Sequence, residues 1–189
     1  MVTYLHIRAI NQLSTVGRLT VAGVTFPCLL GRSGRTHAKR EADGTSPIGV
    51  WDLRNGFYRS DRIRHPQCRL LVRPLRKTDG WCDDASSGLY NKLVRVPLDS
   101  SHERMWRDDE AYDVVFPTSH NERPCTRHRG SAIFFHLTRP DSQMTAGCIA
   151  VSGRNMGKIL ALCETKVSLV IWPCQGGPPV GLQKSHYRS

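Results

Sequence analysis

No stretch of the 189 residues carries the run of apolar side chains that a membrane-spanning helix needs, about 18–20 in a row, so a transmembrane helix is excluded. Met1 to Gln12 has no continuous apolar region either; it alternates apolar and polar side chains, and reads as a strand rather than a signal peptide. Internal repeats and heptads are absent, which excludes a solenoid or a coiled coil. Gly31-x-x-Gly34 is not followed by Gly-Lys-Ser/Thr, so it is not a phosphate loop. Acidic residues are scarce: 16 Asp and Glu against 27 Lys and Arg give a net charge of +11 and a pI near 9.7. That balance is the footprint of a nucleic-acid-binding module. Against it, the arginines are spread along the chain, and no helix-turn-helix, zinc-finger or aromatic-rich RNA-binding motif is visible. Nucleic acid is therefore not the favoured partner. The same charge suits a carboxylate-bearing polymer or an anionic surface.

Cysteine is present in an odd number, seven, so at least one thiol is unpaired in a monomer. His65-x-x-Cys68 and Cys125-x-x-His128 have ligand-like spacing, but a structural zinc site normally shows tighter signatures, so neither a metal nor an organic cofactor is expected. The 16 Gly and 11 Pro point to many turns and a β-rich body, and 39% hydrophobic content suffices for one core.

Tyr4 to Ile10 reads as a first strand with Leu5, Ile7 and Ala9 on one face. Ala22-Gly23 forms a hairpin turn between Arg18–Val21 and Val24–Leu30, and Pro27 puts the second of these at an edge or a bulge. Gly31 to Gly49 is a basic, glycine-rich connection with Arg32, Arg35, Lys39 and Arg40. It reads equally as a solvated loop or as the lip of a substrate cleft. Short arginine-rich strands fill 51–80. Trp81, Asp83, Tyr90 and Asn91 form a polar-aromatic island, either an Asp-capped turn with packing aromatics or a wall of a groove. Ser100 or Ser101 caps a short helix through Trp106, Ala111 to Phe116 is a core strand, and His120 and Asn121 lie in a polar loop that borders the cleft. A last strand spans 166–172. The tail, 173–189, is Gly- and Pro-rich and expected to be mobile.

The chain is organised around Gly130 to Leu162. Ile133 to Leu137 is a short buried strand ending on His136; Thr138, Pro140, Asp141 and Ser142 break it into a loop. Gly147-Cys148-Ile149-Ala150-Val151 returns as a small-residue turn and second apolar run. Ser152 then caps a helix whose Met156, Ile159, Leu160 and Cys163 form one stripe. Taken singly, Cys148 is a small buried hydrophobe and His136 a core histidine. Taken together, they are a thiol and the imidazole that can deprotonate it, with backbone N–H groups at Gly147 and Cys148 to face an oxyanion.

Thr145-Ala146-Gly147-Cys148-Ile149, downstream of His136, resembles the Ser/Thr-x-Gly-Cys signature of the L,D-transpeptidases (YkuD-type domain), bacterial enzymes that cross-link peptidoglycan. Gly31-Arg32-Ser33-Gly34 and Thr45-Ser46-Pro47-Ile48-Gly49-Val50-Trp51 resemble the family's upstream stretch. Many members have His where this chain has Ala146, and Arg where it has Ala150. The resemblance covers roughly residues 3–172, and the catalytic domain it implies is 1–172. It implies a mainly β, β-rich α+β fold, a sandwich or barrel-like mixed sheet with one main helix after the cysteine. It implies Cys148 as nucleophile, His136 as general base and acid, and Gly147 in the oxyanion hole. Thr145, Ala146, Trp81, Asp83, Tyr90, Asn91 and Asn121 would meet substrate or border it. The implied substrates are peptidoglycan stem peptides, with a wall-linked protein as a further partner, in the periplasm or cell envelope. An L,D-carboxypeptidase on the same site is the hydrolytic alternative.

Overall fold

The computed structural model describes residues 1–174 and Pro179; the rest of the tail lies outside the described residues. Its strands are β1 (Val2–Arg8), β2 (Val16–Val21), β3 (Val24–Leu29), β4 (Arg35–Thr36), β5 (Ser46–Pro47), β6 (Gly49–Asp52), β7 (Gly56–Tyr58) and β8 (Val72–Pro74). They continue as β9 (Asp79–Cys82), β10 (Leu93–Arg95), β11 (His102–Arg104), β12 (Val114–Pro117), β13 (Phe134–Leu137), β14 (Ile149–Val151) and β15 (Lys166–Ile171). One α-helix, α1 (Gly153–Ala161), sits between β14 and β15.

Ten strands form a mixed sheet in the order β6-β15-β1-β2-β3-β14-β13-β12-β7-β8. The mainly β fold with one helix after the cysteine is thus the one read from the sequence. The β2–β3 hairpin closes at Ala22-Gly23, with Val21 opposite Val24 and both turn residues at positive φ, 47° and 76°. This is the twist-compatible geometry a two-residue hairpin requires. Pro27 pairs with Arg18 across β2, while β14 meets β3 only at Leu29, so the proline occupies an unpaired side where no N–H is needed.

Alternation along β13 and β14 makes two cores. Phe135, Leu137, Ile149 and Val151 point to a large cluster shared with Leu5, Ile7, Leu19, Val167 and the helix. The helix contributes the expected stripe: Met156, Ile159, Leu160 and Cys163 are all buried, and the Ser152 hydroxyl accepts the Asn155 N–H. The opposite face carries Phe134 and Cys148 with Phe57, Val115, Met105 and Tyr112. A three-stranded sheet, β10-β9-β11, lies over this face, with Trp81 edge-on to Phe134 at 5.1 Å between ring centres.

Two local expectations fail. No helix follows Ser100 or Ser101: His102–Arg104 is β11, antiparallel to β9. The acidic first turn suits a helix, but these backbone groups find ladder partners in β9, and Met105 drops fully buried into the second core. The strand expected from Ala111 begins at Val114. Before it, Glu110–Tyr112 is a 3-10 turn capped by Asp109, whose carboxylate accepts the Ala111 N–H.

Candidate active site

β13 and β14 run parallel in register, Phe135 opposite Ile149 and His136 opposite Ala150. Side chains two apart share a face, so Cys148, Ala150 and His136 all look out on the side of the second core. They line a cavity of about 430 Å³. Asp83, Thr145 and Ala146 line it too, as do Arg32, Lys39, Glu103, Arg107, Tyr112 and Arg139.

The Cys148 turn is braced from both ends. Thr145 donates its hydroxyl to the Cys148 carbonyl at 2.7 Å and accepts the Gly147 N–H at 3.1 Å. The Ser46 hydroxyl also points at the Cys148 carbonyl, at 3.5 Å, and accepts the Gly31 N–H at 2.9 Å. Gly147 has φ 137°, and a Cβ there would meet the Thr45 carbonyl oxygen at 2.7 Å. Only glycine fits, because the Thr45–Pro47 stretch presses directly on the cysteine turn. The two sequence motifs are therefore one structure. The Gly147 N–H, expected to face an oxyanion, is directed at Thr145 in this state.

The thiol is buried and turned inward. It accepts the Phe134 N–H at 3.3 Å and donates to the Ala132 carbonyl at 3.1 Å. Burial, and secondarily the Glu103 carboxylate, push its pKa up to about 12. His136 is brought down to about 4, mainly by burial. Its Nδ1 faces the Leu137 carbonyl at 2.8 Å, so Nδ1 carries the hydrogen and Nε2 the lone pair in the neutral ring. Tyr112 stands edge-on to the imidazole, 5.3 Å between centres. At rest the pair is a neutral thiol and a neutral imidazole.

Other predicted residues sit behind the cavity. Trp81 Nε1 donates to Asn91 Oδ1 at 2.9 Å, and the same oxygen accepts the Ala132 N–H at 3.1 Å. Asn91 Nδ2 donates to the carbonyls of His120 and Asn121, at 3.0 and 2.9 Å. Asn121, at φ 50°, ties its own loop through Thr126 and Gly130. Trp81, Asn91 and Asn121 thus fix the segment whose Ala132 carbonyl holds the thiol. Tyr90 donates to Glu41, which lines the cavity. His120 is buried edge-on against Trp51, its Nε2 3.0 Å from the Arg129 carbonyl.

The basic connection divides between the readings. Arg35 is buried and donates to the carbonyls of Trp172 and Asn11, whereas Arg32 and Lys39 reach the cavity and Arg40 is exposed. Glu103, Arg107 and Tyr112 were not singled out as site residues by the sequence. Glu103 and Tyr112 lie on short elements and Arg107 in the loop between them, none in a motif, and the β9–β11 pairing brings Glu103 to the site. All seven cysteines are free thiols, and among the described residues no three His, Cys, Asp or Glu side chains gather as a ligand set.

The mixed sheet thus brings a cysteine and a histidine, one just before β14 and one on β13, to the wall of one cavity. The chain belongs to the YkuD family of L,D-transpeptidase catalytic domains, whose family model matches residues 8–171. No curated protein matches the sequence. Among solved structures it is similar to the helical cell shape determining protein Pgp2 from Campylobacter jejuni, at 15% identity and a TM-score of 0.47, covering 93% of this chain and 49% of that one. The K307A mutant of that protein is similar at 14% identity and the same TM-score, covering 93% and 48%. The chain spans about half the length of these proteins.

Proposed function

We propose that this domain is a peptidoglycan L,D-transpeptidase of the cell envelope, acting through a thioester on Cys148. The observation that carries the reading is the placement of Cys148 and His136 on one face of paired strands, over a cavity rimmed by Arg32, Lys39, Arg107 and Arg139. Of those cations Arg32 and Arg139 are exposed and suit the carboxylates of peptide stems. Cys148 Sγ attacks the carbonyl between the L-centre of a stem diamino acid and the following D-residue. His136 Nε2 takes the thiol proton and passes it to the leaving amine. The resting pair is neutral on both sides, so the proton moves as the sulfur engages the carbonyl carbon rather than beforehand. The Cys148 N–H holds the oxyanion, joined by the Gly147 N–H once it leaves Thr145. An acceptor amine then attacks the thioester carbon, the C–S bond breaks, and the thiol is restored.

The test is intact-mass spectrometry with purified muropeptides, on wild type, Cys148→Ala and His136→Ala. A Cys148-dependent acyl adduct and cross-linked dimer are expected, with Cys148→Ala giving neither and His136→Ala losing at least about 100-fold in acylation rate. Trimmed monomer without dimer would make the domain a carboxypeptidase. Full activity in Cys148→Ala would sink the assignment.

A further inference from the structure

The cavity has walls of opposite charge, and the acidic one is unassigned by the reaction above. Cys148 and His136 occupy the floor, and Arg32, Lys39, Arg107 and Arg139 supply cations. Asp83 and Glu103 also line the cavity, from the small sheet that covers it. Glu103 is on β11 opposite Trp81 of β9, and Asp83 follows two residues after Trp81, so the two carboxylates share a face. The Asp83 N–H donates to the Ser101 carbonyl at 3.2 Å, which fixes this edge.

Glu103 is not consumed by its neighbours. Tyr112 donates its phenol to one oxygen, Oε1, and the Arg107 guanidinium stands 3.8 Å from the same oxygen. Arg107 spends its fork on Asp109, with Nε and Nη2 at 2.8 and 2.7 Å. One Asp83 oxygen, Oδ1, is buried with no hydrogen-bond partner. A second buried group, from a different segment, also lines the cavity: Ser131, only 6% exposed, whose hydroxyl sits at the Tyr90 phenol and whose Oγ accepts no hydrogen bond. Buried polar atoms left unpaired are costly, and three groups that accept hydrogen bonds around one cavity call for a donor that carries several hydrogens. An alkylammonium is such a donor.

We infer that Asp83 and Glu103 are the acceptor-amine site: they bind the incoming primary ammonium, and Glu103 takes the proton that makes it a nucleophile. The inference rests on the transpeptidase reading and deepens it. An amine arrives as R–NH3⁺, which has no lone pair, and it must lose one proton before attack. That proton goes to Glu103 and then to solvent. The R–NH2 nitrogen attacks the thioester carbon, the C–N bond forms and the C–S bond breaks. The second proton leaves the nitrogen for His136 Nε2 and is delivered to the Cys148 sulfur, which restores the neutral pair. Burial raises the affinity of Glu103 for a proton above that of an ordinary carboxylate, which suits this duty. The acidic wall thereby favours an amine over water as the group that resolves the thioester.

Glu103→Gln tests this while keeping a carbonyl to accept from Tyr112. The acyl-enzyme on Cys148 is formed from a muropeptide donor and partitioned between hydrolysis and two nucleophiles: a stem peptide bearing an ammonium, and hydroxylamine, which is uncharged near neutrality. In the variant the ratio of cross-linked to hydrolysed product should fall about tenfold with the ammonium nucleophile, the loss expected for one charge-assisted contact. With hydroxylamine the ratio should hold within about twofold, because that nucleophile has no charge to recognise. A ratio unchanged with the ammonium nucleophile, or falling equally with both, would overturn the inference. If Glu103→Gln does not acylate, Asp83→Asn is measured the same way against the same outcomes. A wild-type protein that forms no Cys148 adduct overturns the transpeptidase reading and this inference with it; an adduct with unchanged partition overturns the inference alone.

Discussion

Gly147 carries more of the site than its size suggests. Its φ of 137° lies where L side chains rarely go, and the Thr45 carbonyl stands 2.7 Å from where a Cβ would be. Gly147→Ala therefore strains the backbone and pushes the cysteine turn off the Thr45–Pro47 stretch. We predict a loss of roughly 1–3 kcal/mol in chemical denaturation, from strain at a special φ. Acylation of Cys148 should fall at least about tenfold, since small displacements of a reacting group are expensive. Wild-type acylation in a correctly folded Gly147→Ala would show that the close approach has no part in the chemistry. The motif Thr-x-Gly-Cys was legible in the chain, but the reason for its glycine was not. The carbonyl it must clear belongs to a residue about a hundred positions upstream.

At the scale of elements, α1 was the most legible piece, because its cap and stripe are local. Ser152 supplies the hydroxyl and the 3–4 spacing supplies the face. Its contribution is packing on the large core under β13 and β14, so Ile159→Ala, at a fully buried position, should cost about 2–5 kcal/mol. Leu162→Ala, at a position 40% exposed just past the helix, should change stability by no more than about 0.5 kcal/mol. Equal effects at the two positions would contradict the stripe. β11 was illegible for the opposite reason. Three polar residues have no period long enough to read, and their strand exists only because β9 lies alongside. Glu103 rides on that strand, which is why its place in the cavity could not be foreseen from its own neighbours.

The whole molecule feels its buried titratable groups through pH. His120 and His136 both sit near 4, lowered chiefly by burial from an ordinary 6.5. The unfolded chain therefore binds protons that the folded one refuses. The stability these two confer is complete above 6.5 and is lost as pH falls toward 4. Cys28, Cys148 and Cys163 are raised by burial to about 12 from an ordinary 9.0. Their share is complete below 9.0 and declines as pH rises toward 12. Urea denaturation across pH should show a plateau between these limits and an acid limb of roughly 1–3 kcal/mol per pH unit. His120→Gln should make the acid limb shallower. A plateau running unbroken down to pH 4 would remove the buried-histidine account.

The sequence by itself determined what depends on near neighbours: the hairpin at Ala22-Gly23, the helix from Ser152, the β-rich class, and the order His136 then Gly147-Cys148. Turn chemistry, caps and periodicity act over a few residues, so they are written in the chain. Only the tertiary structure decided what depends on distant backbone meeting. It brought Cys148 and His136 to one cavity through parallel β13 and β14. It pressed Thr45 against Gly147. It drew Trp81, Asn91 and Asn121 behind the cavity as braces on Ala132 and its loop, and it divided the basic connection into buried Arg35 and cavity-lining Arg32 and Lys39. Those outcomes are fixed by which buried donors and acceptors find partners once the sheet closes, and no local pattern encodes that pairing.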